Sequence, residues 1–118
     1  MAYERFTSKS TRKNTPTATL RPGGRLRLNS DATLKFRGVG ATRVYMLWDE
    51  KRKRIAIQVA PEDSSSSYKL TFSEAQNSAD IGAKAFLRHV GVSIETKVDL
   101  ALEWNQKDQM FEARLPGL

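Results

Sequence analysis

Nine cations in three short runs are the residues of this sequence best placed to do chemistry, and that chemistry is anion binding. Arg21, Arg25 and Arg27 flank Pro22-Gly23-Gly24, Lys35 and Arg37 follow, and Lys51-Arg52-Lys53-Arg54 form an unbroken block. A guanidinium presents a planar fork that fits phosphate oxygens and the edge of guanine, and a two-stranded ribbon fits a major groove. Alternation along Arg25-Leu26-Arg27-Leu28 puts both arginines on one face of a strand. The four-residue block would add phosphate contacts without reading sequence. Both features have a plainer account: charges keep a sheet face soluble and discourage strand addition, and hydrophilic turns are common.

Other chemistry finds little support. The sequence has no cysteine, which excludes disulfides, a thiol nucleophile and cysteine-ligated zinc. His89 is the single histidine, near the end of a predicted helix where a cation favours the dipole. With no second nitrogen donor, a metal site would have to be all carboxylate. Asp49, Glu50, Glu62 and Asp63 are close in sequence only and are expected to pair with Lys51 to Arg54. Ser64 to Ser67 lack a base. No enzymatic activity, metal or cofactor is expected. Tyr45, Trp48, Tyr68 and Trp104 would stack unpaired bases if exposed. The two tryptophans end matching strands, however, where packing at the rim of a core is the expected use.

The elements that must position these residues fit within 118 residues, room for one compact domain or two small units sharing a core. A hydrophobic fraction of 39% and a charged fraction of 28% suit a globular chain and argue against global disorder. No apolar run approaches a membrane span, and the polar N-terminus does not read as a signal peptide, so a cytoplasmic setting is expected. Charge is unevenly spread. Residues 1–60 hold fourteen Lys and Arg against four Asp and Glu, a net +10; residues 61–118 hold six against nine, a net −3. Such asymmetry fits one face meeting a polyanion, or a merely solubilising surface.

Residues 1–15 read as a flexible basic arm. From Thr17 the pattern alternates, and Pro22-Gly23-Gly24 marks a tight hairpin turn. Asn29, Ser30 or Asp31 caps a short helix over Ala32 to Arg37, closed by Gly38 or Gly40, with Ala32, Phe36 and Thr33 as its buried face. Arg43 to Trp48 and Ile55 to Val59 form a second hairpin around the charged turn. The serine-rich segment 62–67 reads as a linker. The signals then return: a strand over Tyr68 to Phe72, a polar turn over Ser73 to Ser78, and a strand over Ala79 to Ala83. A helix over Lys84 to Val90, stopped by Gly91, and a hairpin of Lys97 to Trp104 with Gln109 to Leu115 complete the chain.

The halves match in order and in places by residue. Leu28 falls on Ile81, Ala32 on Ala85, Leu34 on Leu87 and Gly38 on Gly91; then Val44 falls on Val98, Asp49 on Glu103, and Ile55, Ile57 and Val59 on Phe111, Ala113 and Leu115. The alternative is chance similarity between two β-rich segments. Units of this size are too small to bury separate cores. The expected fold is therefore mainly β (α+β): two tandem hairpin–short helix–hairpin repeats, 16–61 and 68–118, sharing one barrel-like core in a single domain.

Gly24-Arg25-Leu26-Arg27-Leu28, followed by a capped helix, a glycine stop and a hairpin ending at Ile55 to Val59, resembles the swapped-hairpin family of AbrB, SpoVT, MazE-type and MraZ proteins. That pattern spans about Thr17 to Pro61 and, more faintly, Tyr68 to Leu115. Asn29 stands where the family has proline, and Thr33 and Leu34 where it often has helix arginines. In the second half Asn77-Ser78 replaces Gly24-Arg25. The resemblance implies a prokaryotic or phage small protein that regulates transcription by binding duplex DNA, with interlocked units and possible self-association. Arg21, Arg25, Arg27, Lys35, Arg37 and Lys51 to Arg54 would then be its nucleic-acid contacts. The alternative is a protein-interaction module, an accessory or antitoxin-like partner whose basic face meets an acidic protein.

Overall fold

Leucines two residues apart project to one face of an extended chain, and the first hairpin follows from that spacing. β1 (Thr17–Arg21) and β2 (Arg25–Leu28) pair antiparallel, with Ala18, Leu20, Leu26 and Leu28 buried. The structure is a computed structural model describing residues 15–73, 75, 77–91 and 95–115; of the predicted basic arm, 1–15, only Thr15 falls within them. Between β1 and β2, Gly24 N donates to Arg21 O at 3.0 Å and Gly23 has φ +95°. That is a type II turn, with proline and glycine at the positions that favour them.

α1 (Ser30–Gly38) is capped by Asn29, whose side-chain Oδ1 accepts from Ala32 N at 3.0 Å. At its end Gly40 N donates to Arg37 O and Ala41 N to Phe36 O, with Gly40 at φ +72°. This paired closure is why the chain stops there, and glycine supplies the left-handed residue it needs. Ala32, Thr33 and Phe36 form the buried face. The hairpin of β3 (Arg43–Asp49) and β4 (Arg54–Ala60) follows. Segment 62–67 is tied back to β3, because Arg43 Nε and Nη2 donate to Ser67 Oγ and to its carbonyl.

The second half runs β5 (Tyr68–Lys69), β6 (Thr71–Ser73), β7 (Ser78–Gly82), α2 (Lys84–Val90), β8 (Val98–Ala101), β9 (Glu103–Asn105) and β10 (Met110–Arg114). Gly91, at φ +81°, ends α2. All pairings are antiparallel, in two five-stranded sheets: β6-β7-β2-β1-β8 and β5-β3-β4-β10-β9.

The sheets do not close into the barrel expected from the sequence. Two strand breaks mark where one sheet gives way to the other. At Leu70 the chain passes from the second sheet to the first, and at Leu102 from the first to the second. Both leucines are buried, and their N–H groups donate to Thr42 O and Pro16 O at 3.0 and 3.1 Å. The sheets nevertheless share one apolar core drawn from both halves of the chain. At its centre Phe36 meets Phe111 edge-on at 5.2 Å, and Trp104 meets Phe111 at 4.9 Å. Such edge-to-face contacts add about 0.5–1.5 kcal/mol each beyond burial.

The halves join through four ladders: β1 with β8, β3 with β5, and two more central ones. In one, β2 runs against β7 with Leu26 opposite Ile81 and Arg27 opposite Asp80; in the other, β4 runs against β10 with Ile57 opposite Phe111. The ladder of β2 with β7 brings the Pro22–Gly24 turn onto α2: Ala83 N donates to Gly24 O at 2.8 Å, and a Cβ on Gly24 would lie 2.5 Å from Lys84 Cα. Gly24 also has φ +87°. Backbone cannot step aside as a side chain can, so Gly24→Ala is expected to cost upwards of about 2 kcal/mol in urea unfolding. Gly23 at φ +95° has open space around its missing side chain. Gly23→Ala should therefore cost about 1 kcal/mol, from backbone strain alone.

Candidate functional site

Alternation sends the core leucines of β1 and β2 inward and their cations outward. Arg21 and Arg25 are therefore exposed beside the turn, opposite each other in the ladder. Arg27, half-buried, is held by Asp80 across the ladder: Nε donates to Oδ1 at 2.9 Å and Nη2 to Oδ2 at 3.3 Å. Arg25 Nη1 lies 3.6 Å from the same carboxylate. Asp80's hydrogen bond and negative charge raise the Arg27 guanidinium above its ordinary pKa. It stays a cation at every pH the fold meets, with its fork already occupied. Arg21 and Arg25 are the outward-reaching members of this set.

The predicted helix cations are each held on an aromatic ring. Lys35 Nζ sits 5.0 Å above Trp104, and the Arg37 guanidinium 4.6 Å above Phe72. Both rings come from the second half of the chain, so these cations also fasten α1 to it.

The cationic block Lys51 to Arg54 is divided between a turn and a strand. Its turn is residues 50–53, and Arg54 begins β4. Arg54 Nη2 lies 3.1 Å from Glu103 and 3.4 Å from Glu112. These carboxylates come from β9 and β10, not from the nearby acids the sequence pointed to. Asp49 does pair locally: its Oδ1 accepts from Arg52 N at 3.2 Å, and Oδ2 lies 3.9 Å from Arg52 Nε. Lys51 is exposed, and Lys53 adopts φ +55° at the end of the turn.

The aromatic side chains offer little to an unpaired base. Trp48, Tyr68 and Trp104 pack partly buried against the core, and Tyr45 is half-buried. His89 is exposed near the end of α2, lining a cavity of about 260 Å³ with Trp48, Glu50, Lys53 and Val90. Among the described residues no three His, Cys, Asp or Glu side chains are grouped as metal ligands would be.

Two cations absent from the sequence reading now join the Pro22–Gly24 turn. Lys84 is packed on Gly24 and exposed. Exposed Lys97 precedes Val98, which lies opposite Leu20 and so next to Arg21. Both stand some sixty or more residues from the turn, and only the strand pairing brings them there. Comparison with family models, with curated proteins and with solved structures finds no match.

If Asp80 holds back part of the positive field, Asp80→Asn should keep the fold by circular dichroism and elute from immobilised heparin at higher salt than the parent. Unchanged elution would mean that Arg25 and Arg27 are not restrained by it.

Proposed function

We propose that the chain binds nucleic acid, with duplex DNA as the ligand, as a regulator of the swapped-hairpin, AbrB-like type. The observation that carries this reading is the pair of outward arginines, Arg21 and Arg25, at a turn made rigid by Gly24 on α2, with Lys84 and Lys97 beside it. Rigid placement matters because a cation fixed before binding loses little freedom on meeting a phosphate. Arg27 acts here chiefly as a strut, and Lys51 and Lys53 as backbone contacts. Lys35, Arg37 and Arg54 support structure first, because aromatic or carboxylate partners already engage them.

The same reading takes the chain as an internal duplication, and the turns support it. Asp49 Oδ1 accepts from Arg52 N, and Asn105 Oδ1 accepts from Asp108 N, both at 3.2 Å. Lys53 and Gln109, at φ +55° and +54°, end the two turns. Lys53 O accepts from Leu115 N, and Gln109 O from Val59 N, each at 2.9 Å. One offset of 56 residues relates every partner in this exchange and carries Trp48 onto Trp104. It replaces the sequence match of Asp49 with Glu103 by Asp49 with Asn105. In the ladder of β2 and β7, Arg27 stands opposite Asp80, its own equivalent at an offset of 53. A symmetric ancestor would put like charges there; this chain has an ion pair.

The test is duplex binding over a salt series. With about five phosphates neutralised, affinity should fall on the order of hundreds-fold between 50 and 200 mM salt. The Arg21→Ala, Arg25→Ala double variant should lower the slope of log K against log salt by about two while unfolding like the parent. A flat salt response, or a double variant that binds like the parent, would remove the proposal. Capture of a specific acidic protein after nuclease treatment, without duplex binding, would favour the protein-interaction module.

A further inference from the structure

α2 is bracketed by two turns from the other half of the chain. At its start Lys84 lies on Gly24 of the Pro22–Gly24 turn. Near its end His89 and Val90 line one cavity with Glu50 and Lys53 of the 50–53 turn. The two basic turns, separate in sequence, thus stand at opposite ends of one short helix. That helix buries Phe86 and Leu87 and exposes Lys84 and Arg88, four residues apart and hence on one side.

We infer that Arg21, Arg25, Lys84, Arg88, Lys53 and Lys51 form one continuous ridge that follows the phosphates of a single strand of duplex DNA. The inference rests on the nucleic-acid reading above and extends its site onto the second half of the chain. Seven residues of helix span about 10 Å, and with a turn at each end the ridge runs on the order of 20 Å. Of the nearby carboxylates, Asp80 is shared between Arg27 and the ridge's own Arg25, Asp49 is turned to Arg52, and Glu50 shares its cavity with Lys53 and His89.

The ridge also carries no large apolar side chain. Among the described residues, the large apolar side chains that are exposed are Leu34, Val39 and Leu47, on or beside α1 and on β3. None belongs to the ridge. A protein interface takes its energy from anchors buried in pockets, with aromatic residues as well as arginines among them, whereas a phosphate backbone asks only for positioned cations.

The experiment compares three full-length proteins on one duplex over a salt series: the parent, the pair Lys84→Gln with Arg88→Gln, and the pair Lys69→Gln with Lys107→Gln. Thermal melts check that each is folded. Lys69 and Lys107 are exposed cations on β5 and in the 106–109 turn, so the last pair loses the same charge elsewhere. The Lys84/Arg88 pair is expected to lower the salt slope by about two and affinity by roughly tenfold or more, with the Lys69/Lys107 pair close to the parent. If the Lys84/Arg88 pair binds like the parent, or both pairs lose equally, the ridge is wrong while the reading based on Arg21 and Arg25 stands. If the parent itself does not bind duplex, both fall together.

Discussion

The antiparallel ladder of β2 against β7 is the constraint on which the other features rest. It sets Leu26 on Ile81 inside the core and Arg27 against Asp80 outside it. It also continues into the hydrogen bond from Ala83 to Gly24, which seats the first turn on α2. A one-residue slip would send every leucine of β2 to the solvent face and carry Gly24 away from Lys84. The Arg27–Asp80 pair adds little to stability where water reaches it, as exposed ion pairs generally do. Its role is better described as register, since two copies of β2 paired with each other would set Arg27 against Arg27.

From that ladder follows the way each helix is held by the other half. α2 lies between two turns of the first half, and α1 is held by Phe72 and Trp104 of the second. The core is common property for the same reason, with Phe36 from one half wedged between Trp104 and Phe111 of the other. The turns of the two halves differ in charge. Around α2 the turns are Pro22-Gly23-Gly24, between two arginines, and Glu50-Lys51-Arg52-Lys53; the corresponding sequences of the second half are Ser73-Glu74-Ala75-Gln76-Asn77-Ser78 and Gln106-Lys107-Asp108-Gln109. On the proposed reading, duplication kept the scaffold and left the polyanion surface on one side.

Much of the fold was legible because local physics dominates there. Period-two alternation located the strands, Gly91 marked a helix end, the choice among Asn29, Ser30 and Asp31 as cap is resolved to Asn29, and Ala32, Thr33 and Phe36 were placed on the buried side correctly. The strand breaks at Leu70 and Leu102 were not legible. A buried leucine continues the apolar pattern whether or not the chain changes sheet, so two sheets look like one barrel from the sequence. The fates of the cations were hidden for a related reason. Asp80 reaches Arg27, and Glu103 reaches Arg54, across separations of about fifty residues, which only the pairing of strands determines. Lys84 stayed out of sight because nothing in its own neighbourhood marks it; the marker is Gly24, sixty residues earlier.

The central claim is that one composite face, made by two turns of the first half and a helix of the second, meets the ligand. It is tested most directly by following backbone amide NMR signals of the labelled protein as a short duplex is added. The account predicts that the signals which move cluster at Arg21 to Arg25, Lys84 to Arg88 and Glu50 to Lys53, while those of Asn105 to Gln109 stay still. Movement centred on residues 105–109 and α1 instead, or spread evenly over both halves, would contradict it.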